Sequence, residues 1–196
     1  MEQNVFQSLH SPFNSFRRYL EGSSSQAGFA EKAQLSNPKG ALTHSDVNEA
    51  LQLRQALEPL VMELVMPRVS RKQLAELDAL IERHGQLAGN PRAGAMFMEL
   101  DKRFHLYLAD LAGNRRLAAI IRAVWDLQVR TGSEPFQAPG HMEILSRDHA
   151  RIVEAIRNAD CAAAKELTVR HIDRAYDEYA KELAPKNKKS EPEQPE

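Results

Sequence analysis

From about residue 45 to residue 184 the apolar side chains recur every three to four positions, and no stretch of the 196 residues sustains an apolar–polar alternation. A period near 3.6 buries one face of a helix, whereas a period of two buries one face of a strand, so the chain must pack helices on helices. The predicted fold is all-α, an antiparallel bundle of about six helices enclosing a metal or ligand pocket. Ser45 or Asp46 is expected to cap a first helix with Val47, Leu51, Leu57, Val61 and Leu64 inward. Pro59 should kink that helix or start a new turn, and Pro67 should stop it. Ser70 with Gln73 three later forms a capping box for a second helix through Leu74, Leu77, Leu80 and Ile81 to about His84. Residues 85 to 93 read as a loop. A third helix spans about 94 to 112, ending at the breaker Gly113-Asn114, and a fourth spans about 115 to 129. After a proline-containing loop at 134 to 140, a fifth helix covers about 142 to 158. Asp160 caps a sixth that continues to about residue 184.

The two ends differ from this interior. Residues 1 to 44 are polar and interrupted by Gly22-Ser23-Ser24-Ser25 and Asn37-Pro38-Lys39-Gly40, which predicts an irregular N-terminal segment. Residues 185 to 196 are charged, proline-bearing and free of aromatics, the composition of a disordered tail. Residues 45 to 184 form the domain between them. An apolar content of 42% with 27% charge is that of a soluble globular chain. A formal net charge of −1 supplies no global attraction to nucleic acid or anionic lipid. The single cysteine, Cys161, excludes an internal disulfide framework and fits a reducing cytosol. The first residues lack a secretory pattern, and no stretch approaches the roughly 20 apolar residues of a membrane span. A cytoplasmic protein without membrane contact is expected.

Chemistry concentrates on three of the helices. Asp101 and His105 stand four apart in Glu99-Leu100-Asp101-Lys102-Arg103-Phe104-His105, on one helix face. His149 follows Asp148 on the fifth helix, and His171 follows Arg170 on the sixth. Each keeps step with its helix's apolar stripe: Asp101 and His105 with Met98 and Leu108, His149 with Leu145, Val153 and Ile156, His171 with Leu167 and Ala175. Imidazole nitrogens and a carboxylate oxygen suit zinc and its first-row neighbours, and a helix bundle is where such ligands converge. Taken singly, each is more commonly a hydrogen-bonded core residue. Four together are costly to bury without a shared partner. Both readings stand on the spacing alone. The other histidines, His10, His44, His84 and His141, fall in loops or at helix ends and read as solvated, with His141 a secondary candidate.

Several short motifs occur in a telling order: Leu53-Arg54-Gln55-Ala56-Leu57-Glu58-Pro59, then Asp101-x-x-Phe104-His105, then Gly113-Asn114. Asp148-His149-Ala150-Arg151-Ile152 with Ala155-Ile156 follows, and then Asp160 and His171. With these pieces, residues 46 to 184 resemble the FCD effector-binding domain of the FadR branch of GntR-type bacterial transcription regulators. The resemblance implies a divalent metal held by Asp101, His105, His149 and His171, zinc first, with nickel or manganese as alternatives. It further implies a small organic acid as effector, Arg54 as a ligand-binding residue beside the metal, and a homodimer. A guanidinium and a metal cation are both good partners for a carboxylate. Without the resemblance, Arg54 reads as one half of a surface pair with Glu58, an i,i+4 contact of about 0.3–0.5 kcal/mol. Periodicity does not decide whether Arg122 and Arg130 face the same pocket.

The front of the chain departs from that family pattern. Such regulators carry a winged helix-turn-helix ahead of the effector domain. Residues 1 to 44 offer one short amphipathic piece with Phe13, Phe16 and Leu20, one Arg17-Arg18 pair that reads as solvated, and no alternating strands for a wing. A complete DNA-reading module is not expected there, nor DNA binding by this chain on its own. The favoured function is a metal-dependent domain that senses a small carboxylate for a transcription regulator, not an enzyme. The alternative is a hydrolase-like helix-bundle metalloenzyme using the same site, since three histidines around a metal with an open position can activate water. Against it, Glu99 and Asp148 lie off the ligand face and no other acid presents itself as a base. An adaptor bundle without metal is the third possibility.

Overall fold

Local signals set several of the helix boundaries, and tertiary packing sets the others. In a computed structural model of the chain, residues 44–129 and 139–183 are described. The expectations made for His10, for residues 13–20 including Arg17 and Arg18, for Arg130, for the loop at 134–138 and for the tail at 185–196 lie outside them, as does the side chain of His44. The helices are α1 (His44–Val65), α2 (Arg71–Ala88), α3 (Gly94–Leu111), α4 (Arg115–Val129), α5 (His141–Arg157) and α6 (Cys161–Leu183), with a 3-10 turn at Pro91–Ala93 before α3. No strand occurs among the described residues.

The capping box opens α2 as the motif requires. The Ser70 hydroxyl accepts from the Gln73 backbone N–H at 3.3 Å, and the Gln73 side chain accepts from the Ser70 N–H at 2.8 Å. Asn114 and Asp160 do the same for α4 and α6, accepting from Leu117 N–H at 3.2 Å and Ala163 N–H at 3.0 Å. Gly113 takes φ +70 after α3, the left-handed geometry that ends a helix. Two expectations fail. Helix α1 begins at His44, so Ser45 and Asp46 lie inside its first turn instead of capping it; it runs on through Pro59 as a single element. Helix α2 continues past Gly85 to Ala88, so the predicted loop is shorter. Burial of Ala88 in an apolar cluster with Phe97 and Leu145 outweighs the low helix propensity of one glycine.

Around the bundle α1 lies against α6, α6 against α5, α5 against α2, α2 against α3, α3 against α4, and α4 against α1; α3 also reaches α1 directly. The apolar interior is divided into two clusters. One contains Val61, Leu77, Leu108, Trp125, Ile152 and Ala164; the other contains Leu51, Ala88, Phe97, Val129, Leu145 and Ile172. The order in which a helix meets them alternates from α1 to α6, as it must in an up-and-down antiparallel bundle. On every helix a buried polar residue sits in sequence between the two: Arg54 and Glu58 on α1, His84 on α2, Asp101 on α3 with His105 one turn further on beside Phe104, Gln128 on α4, His149 on α5, His171 on α6. A polar layer thus crosses the bundle between two apolar blocks. None of the described helices is long and apolar enough to cross a membrane.

Candidate metal centre

Four atoms from α3, α5 and α6 converge in that layer. The Nε2 atoms of His105 and His171 lie 3.1 Å apart, those of His149 and His171 3.2 Å, and those of His149 and His105 3.3 Å. Asp101 Oδ1 lies 3.2 Å from His149 Nε2 and 3.8 Å from the Nε2 atoms of both His105 and His171. A tetrahedron whose arms have zinc–nitrogen lengths of about 2.0–2.1 Å has edges of about 3.3–3.4 Å. The six separations bracket that value. All four side chains are buried, none more than 3% exposed.

The polar accounting points the same way. Neither carboxylate oxygen of Asp101 has a hydrogen-bond partner, and His171 Nδ1 has none either. A buried carboxylate without donors is expensive, and ring nitrogens facing one another need something electropositive between them. A divalent cation at the centre of the four atoms satisfies both requirements, so the residues present fit a metal. Burial pushes His149 and His171 below the ordinary histidine range, His171 furthest, so both stay neutral and able to ligate.

Outer partners aim the rings. His105 Nδ1 lies 2.7 Å from Glu58 Oε2, while Arg54 Nε donates to Glu58 Oε1 at 2.7 Å. Arg54 Nη1 donates to Gln128 at 2.8 Å, its Nη2 lies 3.4 Å from His105 Nε2, and the guanidinium carbon stands 3.9 Å over the Trp125 ring. Burial would raise the Glu58 carboxyl, yet Arg54 and His105 bring it down to about 2. On the other side His149 Nδ1 lies 3.2 Å from His84 Nδ1, and His84 Nε2 lies 3.3 Å from the Phe97 carbonyl.

Asp101, His105, His149 and His171 are therefore brought together, and Arg54 reaches the same centre. The reading of Arg54 and Glu58 as a surface pair is corrected: the i,i+4 contact exists, but the two residues are only 1% and 2% exposed. His84 and His141 are likewise buried rather than solvated. Arg122 turns away from the centre and pairs with Asp110 at 3.2 Å. Glu99 pairs with Arg103, and Asp148 is engaged by Arg174 on the α5–α6 side. Sequence reasoning missed Glu58, His84, Gln128 and Trp125 as neighbours of the site. For His84 a signal existed, because it continues the buried stripe Leu77, Leu80 and Ala88; for Gln128 there was none.

Residues 49–174, which include all four converging side chains and Arg54, match the FCD domain family. The chain is 28% identical over 133 residues to the HTH-type transcriptional regulator YdhC of Bacillus subtilis, covering 68% of this chain and 59% of that protein. It is 28% identical over 134 residues to the Exu regulon transcriptional regulator of Escherichia coli, covering 64% and 48%. The chain thus spans only about half to three-fifths of the length of these relatives. Among solved structures, Streptococcus agalactiae GntR superposes with a TM-score of 0.55 at 25% identity, over 68% of this chain and 60% of that one. A GntR family member from Pseudomonas syringae shares the fold with a TM-score of 0.58 at 19% identity, over 78% and 66%. The matched family, which spans the whole polar layer, and the regulators it resembles agree: this chain belongs to the FCD domain family of GntR-type transcription regulators.

Proposed function

We propose that the described helices are the sensing part of a FadR-type transcription regulator, a domain that binds a small organic acid at a divalent metal held by Asp101, His105, His149 and His171. The observation that carries this reading is the buried Asp101 carboxylate, without a hydrogen-bond partner, facing three imidazole nitrogens beside Arg54. Zinc is the first choice for a donor set of three imidazoles and one carboxylate, with nickel or manganese next. A bound metal would supply a cation for one anionic oxygen of the acid.

The chain's own residues supply the rest. Arg54 is fixed before any ligand arrives, with two of its donors committed to Glu58 and Gln128 and its face on Trp125. Such preorganisation reduces the entropy lost on binding. Its Nη2 stands next to a metal-binding nitrogen, so one carboxylate can meet both charges. We assign sensing rather than DNA reading to these helices, and a homodimer belongs to the same proposal. Regulation is what the relatives' names carry over; a hydrolase reading finds little support. Asp148, Glu99 and Glu58 are each paired with an arginine, which leaves none of them poised as a general base.

The test is calorimetric titration of metal-loaded protein with hydroxy acids and dicarboxylic acids, each beside its uncharged amide. Acids should bind and amides should not. Arg54→Lys, which keeps the charge but loses the fork, should weaken acid binding about tenfold or more with metal content unchanged. Equal acid affinity in the variant would remove Arg54 from the site. Failure of every acid would overturn the carboxylate reading.

A further inference from the structure

His84 takes no part in the four-atom centre, yet it touches one of its members through the far ring nitrogen. From the geometry we infer that His84 is a positioning residue that sets the tautomer of His149, using the Phe97 carbonyl as its fixed end. The inference rests on the proposed metal centre for its consequence, but the proton placement can be read independently.

A carbonyl oxygen only accepts. His84 Nε2, 3.3 Å from Phe97 O, must therefore carry the proton that is donated there. No carboxylate forms an ion pair with His84 among the described residues, and its ring is buried flat against Phe97 at 3.7 Å between centroids, so a second proton on that ring would be an uncompensated buried charge. His84 Nδ1 is then a lone pair. It faces His149 Nδ1 at 3.2 Å, which must donate to it. With its proton on Nδ1, neutral His149 keeps a lone pair on Nε2, the atom that faces Asp101, His105 and His171. The opposite order would set the His84 Nε2 lone pair against the carbonyl oxygen and put a proton into the centre of the ligand set. Turning either ring over would keep its stacking on Phe97 or Phe104 but put ring carbons where the nitrogens now meet the Phe97 carbonyl and each other, losing those contacts.

The three histidines consequently differ in support. His105 is oriented by the Glu58 carboxylate, His149 by a neutral histidine tied to the backbone of α3, and His171 Nδ1 has no partner. Partners of this outer kind typically contribute 10–100-fold to metal affinity.

Two measurements test the role. Long-range proton–nitrogen correlation spectra of the metal-free wild type should place the His149 proton on Nδ1 and the His84 proton on Nε2. Zinc competition against a chromophoric chelator should show affinity falling about 10–100-fold in His84→Phe, which keeps the stacking but not the hydrogen bonds. His84→Gln should recover most of that loss, since its amide oxygen can accept from His149 and its amide N–H can donate to Phe97. A His149 proton on Nε2 in the wild type, or zinc bound as tightly by His84→Phe as by the wild type, would overturn the inference. Wild-type protein that takes up no zinc while showing the expected protons would instead overturn the metal centre, and with it any consequence of the relay for metal binding.

Discussion

Glu58 Oε2 and His105 Nδ1 lie 2.7 Å apart in the bundle interior, and the other oxygen of the same carboxylate is bonded to Arg54 at 2.7 Å. One glutamate therefore joins the guanidinium proposed for the effector to a ring proposed for the metal. A ligand that draws on Arg54 would also alter the field at His105, so the proposed acid binding and metal binding should be linked, and linkage is reciprocal.

Purified protein should carry about one divalent ion per chain, measured by elemental analysis. Saturating zinc should raise the melting temperature, because an ion held by the folded chain at 100 times its Kd adds about 2.7 kcal/mol. His149→Ala with His171→Ala should remove both the ion and the shift. Full occupancy in that double variant would refute the four-residue shell.

Breaking the buried pair on one side should be costly. Arg54→Met is expected to lose about 3–5 kcal/mol in metal-free urea unfolding, because Glu58 then keeps a buried charge without its arginine. Adding Glu58→Gln should recover a large part of that loss, since the charge goes with its partner. Strict additivity of the two substitutions would mean that the pair is not coupled.

The histidines make the metal-free protein acid-sensitive. Burial and His149 bring the His84 imidazole down to about 3, and burial also depresses His149 and His171. Unfolded histidines protonate near 6.5, so below that pH the unfolded chain binds protons that the folded chain refuses, and stability falls as pH falls from about 6.5 toward 3. Glu58, held at about 2, adds a second loss below about 4.5, where the unfolded carboxylate protonates first. Urea midpoints should decline between pH 7 and 5, and less steeply in His84→Gln. A flat profile would contradict the burial of neutral imidazoles.

Asp110 works in the opposite sense. Burial near the C-terminal end of α3 raises its carboxyl to about 6, against the pull of Arg122. Above that pH the folded state holds a strained charge; as pH falls from 6 to about 4, the folded state takes the proton first and stability rises. Asp110→Asn should therefore be more stable than wild type at pH 7, by up to about 1 kcal/mol after allowance for its partial exposure. The advantage should vanish near pH 4. A variant less stable than wild type at pH 7 would show that the Arg122 contact outweighs the burial.

Most of the fold was legible because helix signals are local. The capping box at Ser70 and Gln73, the break at Gly113 and the caps at Asn114 and Asp160 each act within a few residues, and α3 ends and α2, α4 and α6 begin where those signals place them. The extent of α2 was not legible. Gly85 looks like a stop by propensity, and only the apolar cluster around Ala88 carries the helix past it.

The sequence by itself determined which residue types lie on the buried stripe of each helix. Asp101, His105, His149 and His171 could therefore be singled out, with Arg54 added through the family's motifs. Periodicity specifies a face; it does not specify the height at which one helix meets another. That axial level follows from how side chains of neighbouring helices interlock. Tertiary packing alone decided that Glu58, His84 and Gln128 stand at the height of the four converging atoms. It likewise turned an i,i+4 pair worth little in water into a buried one that orients His105.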